Sequence, residues 1–403
     1  MLDDQRLMAG VQPAPGDRRG AGPLAPRGLE AGQVRRALRC AVAALLCLGL
    51  CAGAAYAAVP RPWRLDGDGL FLREAKLDAG AATALVQDQQ GFLWIGNQAG
   101  LLRWDGYVAR WYAPDADTPG ALPDNYVSAL LVDARGRLWV GTSNGGLARY
   151  DAEHDNFVTL PVGPGGLRDA SVSALCDDGA GGLWVATGAG LDHLDGTTGR
   201  IEPVAMRLPG GRVEALLRDR SGGIWVGTSG ALTYRGAGQA GFVEQRLDHR
   251  DGTFPGALAL FEDDDGRIWV GTNAHGAYVR EPGQAHWRQV VENQVGAAPM
   301  SDMVRAIVQA RRGEVWLGTG NGGIVRVNTV TWRTRRERHD DTRASSLVSD
   351  EVLSLYRDRD GWIWIGSAED LCGYNPQPGA IDTYFGGGSP ARLVAHSSVL
   401  AVL

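Results

Sequence analysis

Along residues 80–376 short apolar runs alternate with polar punctuation at a steady rhythm. Val127-Ser128-Ala129-Leu130-Leu131-Val132 is one such run, with the length of a strand rather than a helix. Asp133-Ala134-Arg135-Gly136 follows it and predicts a tight hairpin. In such a turn the carboxylate accepts backbone N–H groups and the glycine takes the positive-φ position, a contribution of about 1 kcal/mol for the aspartate. A second strand carries Trp139, whose large ring is expected to fill space between neighbouring sheets. Gly141-Thr142 then leads into a turn, a third strand is expected over Leu147–Tyr150, and a looser fourth near Asn156-Phe157-Val158. Four strands in roughly 45 residues make one blade of a β-propeller.

The pattern repeats seven times. Trp94, Trp139, Trp184, Trp225, Trp269, Trp316 and Trp364 stand 45, 45, 41, 44, 47 and 48 residues apart. A glycine lies three residues before each, and an aspartate three further back in six copies (Asp88, Asp133, Asp178, Asp219, Asp263 and Asp358). The sixth copy has Ala310 there, and the third has Ala186 at the position where the others carry Gly after the tryptophan strand. Radial repetition is how such sheets bury their faces, so the expected fold is all-β: a seven-bladed β-propeller of four-stranded blades over residues 58–394. Glycine density and two-residue alternation exclude helical repeats, and a parallel β-helix needs shorter rungs. The segment near Leu70-Phe71-Leu72 is available as an outer strand that helps close the ring.

Particular residues carry a resemblance. Asp88-Gln89-Gln90-Gly91-Phe92-Leu93-Trp94-Ile95-Gly96, and Asp133 through Thr142 with Gly145-Gly146-Leu147 and Tyr150-Asp151, resemble the repeat of the two-component regulator propeller family. The resemblance runs from about residue 60 to residue 403. It implies the extracytoplasmic sensor of a single-span bacterial regulator, whose output is a histidine kinase or a GGDEF-type diguanylate cyclase and whose ligands are often carbohydrates. It also implies a homodimeric parent. None of that output machinery lies in this sequence. Ser397 through Leu403 align with Asp350 through Tyr356, so residues 395–403 are expected to start an eighth repeat cut before its tryptophan. The chain is therefore expected to be a fragment of a longer sensor, since a bare apolar edge invites aggregation.

The first 57 residues follow other rules. Residues 9–33 are rich in Gly, Pro and Ala and read as disordered. Arg35, Arg36 and Arg39 precede an apolar run from Cys40 to Ala54, and Ala55-Tyr56-Ala57 gives a small-x-small cleavage pattern. The expectation is a signal peptide ending near Ala58 and a periplasmic destination, with an uncleaved signal anchor as the alternative. Contact with the membrane would run through that anchor or through a helix beyond Leu403. The formal net charge of −6 argues against a nucleic-acid footprint, which would need a clustered basic face. Of five cysteines, Cys40, Cys47 and Cys51 lie in the leader, and Cys176 and Cys372 read as two buried free thiols.

Candidate chemistry is sparse. The seven histidines show no metal-ligand spacing, no Gly-x-Ser-x-Gly elbow or phosphate loop occurs, and neither cofactor nor catalysis is expected. Binding is expected on the face where the turns after the second strand and the connections between blades open around the axis. The turns supply Asn144, Asn273, His275, Asn321 and Glu369, along with Gln98 and Asp370. The connections supply Tyr126, Arg168, Arg212 and Phe254, along with Asp124, Asp302 and Asp350. Amides, carboxylates, arginines and aromatics suit a polar, hydroxylated small molecule or oligosaccharide. The alternative is a free secreted propeller, either a scaffold or a lyase-like enzyme built around His275.

Overall fold

The computed structural model describes residues 71–73, 79–207, 209–247, 254–292, 303–343 and 345–376, all within one compact unit, Trp63–Leu403. The leader (residues 1–57) and the eighth-repeat segment (residues 395–403) lie outside the described residues. Twenty-eight strands form seven four-stranded antiparallel sheets, and the described residues contain no helix. The chain is a seven-bladed β-propeller. Blade two shows the plan: Val127–Val132, Leu138–Thr142, Leu147–Asp151 and Asn156–Thr159 pair in sequence order. The first strands of successive blades pack side by side around the axis.

Blade seven departs from sequence order and closes the ring. Its outer strand is the N-terminal Phe71–Arg73, which pairs with Leu371–Tyr374 in the register Phe71 to Tyr374 and Arg73 to Cys372. Phe71 is buried, with its ring 5.2 Å from that of Tyr374 and 6.3 Å from that of Trp316. Closure thus joins the two ends of the propeller by both backbone ladder and core packing.

Each hairpin aspartate does more than cap its turn. Asp88 Oδ1 accepts the N–H groups of Gln90 and Phe92, as expected, and Oδ2 accepts the indole N–H of Trp94 at 2.6 Å. The same aspartate–indole bond recurs at Asp133–Trp139, Asp219–Trp225, Asp263–Trp269 and Asp358–Trp364, at 2.8–2.9 Å. The carboxylate therefore ties the hairpin to the tryptophan of the next strand, and an estimate limited to turn bonds is too small. In blade three, Asp178 Oδ2 instead receives His193 Nε2, whose ring lies 4.3 Å from that of Trp184. Blade six, with Ala310 at the aspartate position, supplies its acceptor from another place. Glu314 Oε1 accepts the Trp316 indole at 2.8 Å and Arg326 Nε at 2.7 Å.

Cys176 and Cys372 are free thiols, as expected, but only Cys372 is fully buried, Cys176 being half-buried. Burial pushes both up to about 12, which keeps them protonated and unreactive.

Candidate functional site at the channel mouth

In blades two to seven the ladder between the first and second strands skips one residue near its start. The breaks fall between Val127 and Ala129, Val172 and Ala174, Val213 and Ala215, Ala257 and Ala259, Val304 and Ala306, and Val352 and Ser354. A bulge re-aims the side chain of the skipped residue. Here the skipped residues are Ser128, Ser173, Glu214, Leu258, Arg305 and Leu353, and every one lines a cavity of about 590 Å³ on the axis. Thr83 occupies the same position in blade one and lines it too. Seven blades thus contribute one side chain each to a single ring.

The ring is polarised. On blades one to three, the Thr83, Ser128 and Ser173 hydroxyls donate to the first-strand carbonyls of the following blade: Val127 (2.5 Å), Val172 (2.5 Å) and Val213 (2.6 Å). These bonds stitch neighbouring blades and leave each oxygen with lone-pair capacity toward the channel. The opposite half carries the carboxylate of Glu214, the guanidinium of Arg305 and the apolar side chains of Leu258 and Leu353. Arg305 is exposed, and its Nε lies 3.1 Å from Met303 Sδ. Above this ring the mouth is rimmed by Gln98, Tyr126, Ser143, Arg212 and Glu351.

The expected site residues separate in space. Tyr126 and Arg212 line the cavity, and so does Gln98. Arg168 is engaged elsewhere: its Nε meets the fully buried Asp192 at 2.5 Å and its Nη2 donates to Leu191 O, which pins a blade connection. Phe254 packs into the apolar cluster around Trp225 and Trp287. Asn144, Asn273, Asn321 and Glu369 are exposed turn residues outside the cavity lining. The Asn144 N–H donates to Asp124, and Asn273 N–H to Pro255 O. His275 also lies outside the lining, its N–H held by Thr272 Oγ1 and its carbonyl by Gln289. Asp370 is buried and holds the Ala79 and Leu371 N–H groups. Asp350 accepts the His339 N–H, and Asp302 lies outside the described residues.

The bulge residues were missed because they look like interior positions of an apolar strand. A signal was present nonetheless: aligned by blade, the column before Ala129 reads Thr, Ser, Ser, Glu, Leu, Arg, Leu, a polar interruption in an apolar strand. No cluster of three or more metal-ligating side chains occurs among the described residues, and they contain no helix long and apolar enough to cross a membrane.

Comparison with known proteins agrees with this architecture. Residues 121–144, 207–230, 254–274 and 346–369 match the two-component regulator propeller family, each match spanning the first two strands of a blade. An extracellular domain assigned to a hybrid two-component system of B. thetaiotaomicron is 21% identical with a TM-score of 0.67, covering 77% of this chain and 42% of that one. One assigned to a one-component system of the same organism is 20% identical with a TM-score of 0.62, covering 76% and 39%. The chain therefore spans about four tenths of the length of these two structures. A virginiamycin B lyase from Staphylococcus aureus, solved as an inactive variant with quinupristin, is 13% identical with a TM-score of 0.58, covering 75% and 97%. At these identities the likeness is one of fold. No curated protein matches the sequence.

Proposed function

From blades that carry the two-component regulator propeller repeat, we propose that this chain is the extracytoplasmic ligand-sensing module of a bacterial signalling protein. Its ligand is a polar, hydroxylated small molecule or oligosaccharide bound at the channel mouth. In this reading the propeller faces the periplasm and passes its signal to a C-terminal histidine kinase or diguanylate cyclase. The carrying observation is the ring of seven side chains, six from bulges and the seventh from Thr83. It offers hydroxyl acceptors on one side and a carboxylate and a guanidinium on the other, with the Tyr126 ring at the rim for stacking. Such a mixture matches a ligand with many hydroxyl groups and no net charge.

The test is calorimetric titration with a panel of neutral oligosaccharides, followed by Arg305→Ala, Glu214→Gln and Tyr126→Ala. Each variant is expected to weaken the best ligand by about tenfold, or about 1.4 kcal/mol. Affinity unchanged in all three variants would refute the channel site. Slow conversion of the bound compound would favour the lyase-like alternative, although His275 stands outside the cavity lining.

A further inference from the structure

A second cavity lies on the opposite face, at the seam where blade seven meets blade one. It measures about 380 Å³, and its walls include Trp104, Trp362, Trp364 and Gly373. Its meaning comes from what the other seams do at the same place.

Five of the repeat tryptophans carry an arginine guanidinium over the ring. The distances are 5.7 Å for Arg103 on Trp94, 5.3 Å for Arg137 on Trp139, 4.7 Å for Arg235 on Trp184, 4.6 Å for Arg280 on Trp225 and 5.2 Å for Arg326 on Trp316. Trp269 stacks at 5.9 Å on Trp332, which carries Arg288 at 3.3 Å. These cations arrive by three routes. Arg103 and Arg326 sit on the third strand of the same blade, directly opposite the tryptophan. Arg137 stands two residues before it. Arg235 and Arg280 come from the third strand of the following blade.

At Trp364 all three routes are closed. The residue opposite it is Gly373, two residues before it is Trp362, and the following blade presents Trp104. Among the described residues no cation lies over Trp364, and the space is the cavity. The walls are aromatic, with Trp362 at 6.1 Å and nearly parallel to Trp364, and Trp104 at 5.2 Å and nearly perpendicular. Asp105, Asp358 and Asp360 are the charged residues of the lining, which contains no lysine or arginine. The neighbouring Arg359 turns away, donating to Asp88 O and to Gln89 O across the seam.

We infer that this seam pocket binds an organic cation, a guanidinium or alkylammonium group, seated on Trp364 where the other blades seat their own arginine. Indole faces with carboxylates at the rim attract such a group through the ring quadrupole and through Coulomb interaction. A metal ion fits less well, because both oxygens of Asp358 already accept the Trp362 N–H and the Trp364 indole. The inference is independent of the channel site.

The experiment is titration of the propeller with agmatine, with N-butylurea as its uncharged counterpart and glucose as a sugar control. Agmatine is expected to bind, and the two neutral probes are expected to bind at least tenfold more weakly. Trp362→Ala should weaken agmatine by about tenfold, and Asp360→Asn, at an exposed rim position, by about threefold. Gly373→Arg should abolish binding by supplying the guanidinium from within. Its backbone permits a side chain, although a Cβ there would lie 3.2 Å from both Trp362 and Trp364, so the rings must yield slightly. If that variant fails to fold, Trp362→Ala and Asp360→Asn decide. Arg305→Ala, in the channel, must leave the agmatine titration unchanged. Equal binding of agmatine and N-butylurea, no binding of agmatine up to about 10 mM, or insensitivity to Trp362→Ala would overturn the inference.

Discussion

Removing the carboxylate of Asp219 tests how blade four is held together. Its Oδ2 accepts the indole N–H of Trp225 at 2.9 Å, and its Oδ1 accepts Gly223 N–H at 2.8 Å and the Ser221 hydroxyl at 2.6 Å. Trp225 is 1% exposed, so Asp219→Ala strands a buried indole donor, which costs about 1–3 kcal/mol. The turn donors lie nearer solvent, where water replaces part of what they lose, and add about 1 kcal/mol. The sum is about 2–4 kcal/mol. Trp225→Ala leaves a large void between blades and should cost about 3–5 kcal/mol. In the double variant the stranded donor is gone, so the two losses should fall short of additive by about 1–2 kcal/mol. Urea unfolding at 25 °C, followed by tryptophan fluorescence and by circular dichroism, measures all four corners. A coupling near zero would show the indole bond to be energetically silent. Asp219→Ala costing more than Trp225→Ala would require another role for the repeat aspartates. The pH dependence adds an independent check. Burial pushes the Asp219 carboxyl up, but the Ser221, Trp225 and Gly223 donors outweigh it and hold the group below the usual carboxylate range. A depressed folded pKa means stability that is present above the unfolded pKa and lost as pH falls through the folded one. The advantage of the native protein over Asp219→Asn should therefore shrink below about pH 4.

Three further outcomes are expected. Phe71→Ala should cost about 3–5 kcal/mol in urea unfolding, because the buried ring packs on Trp316 and Tyr374 across the closing seam; a loss under about 1 kcal/mol would show that closure does not depend on that contact. Glu314→Ala should cost about 2–4 kcal/mol, because it removes the nearer carboxylate of the buried Arg326 guanidinium, leaving Glu337 at 3.3 Å, and takes the acceptor from the Trp316 indole; a cost equal to that of an exposed substitution would contradict this. Cys372 should resist a thiol-labelling reagent in the native protein at pH 8 and react only on unfolding, while the half-buried Cys176 should react slowly; rapid native labelling of Cys372 would contradict its burial.

Repetition made the fold legible. Each blade is written locally: an apolar run, Asp-x-x-Gly, a tryptophan strand and a glycine turn specify a four-stranded meander without reference to distant residues. Even the closing strand could be read at Leu70-Phe71-Leu72, since a seventh blade needs an outer strand and that segment is apolar and unassigned. The sites were less legible. Tyr126 and Arg212 stood out because they break the turn composition of the blade connections, and they do line the channel. Arg168 stood out for the same reason, yet the connection folds it onto Asp192, 24 residues away.

The tertiary structure decided the rest, for two physical reasons. A bulge one residue into the first strand of blades two to seven turns Ser128, Glu214 and Arg305 from apparent strand interior to channel lining, and a single-residue skip leaves no mark on two-residue alternation. Contacts between blades join residues about 45 positions apart, or, at the closing seam, nearly 300 apart. Only the assembled ring shows that Glu314 replaces the missing aspartate of blade six, or that Gly373, Trp362 and Trp104 together leave Trp364 without an arginine among the described residues. The sequence determined the repeating unit because hydrogen-bonded hairpins and apolar faces are local. The sites lie between units, where shape depends on how seven of them close.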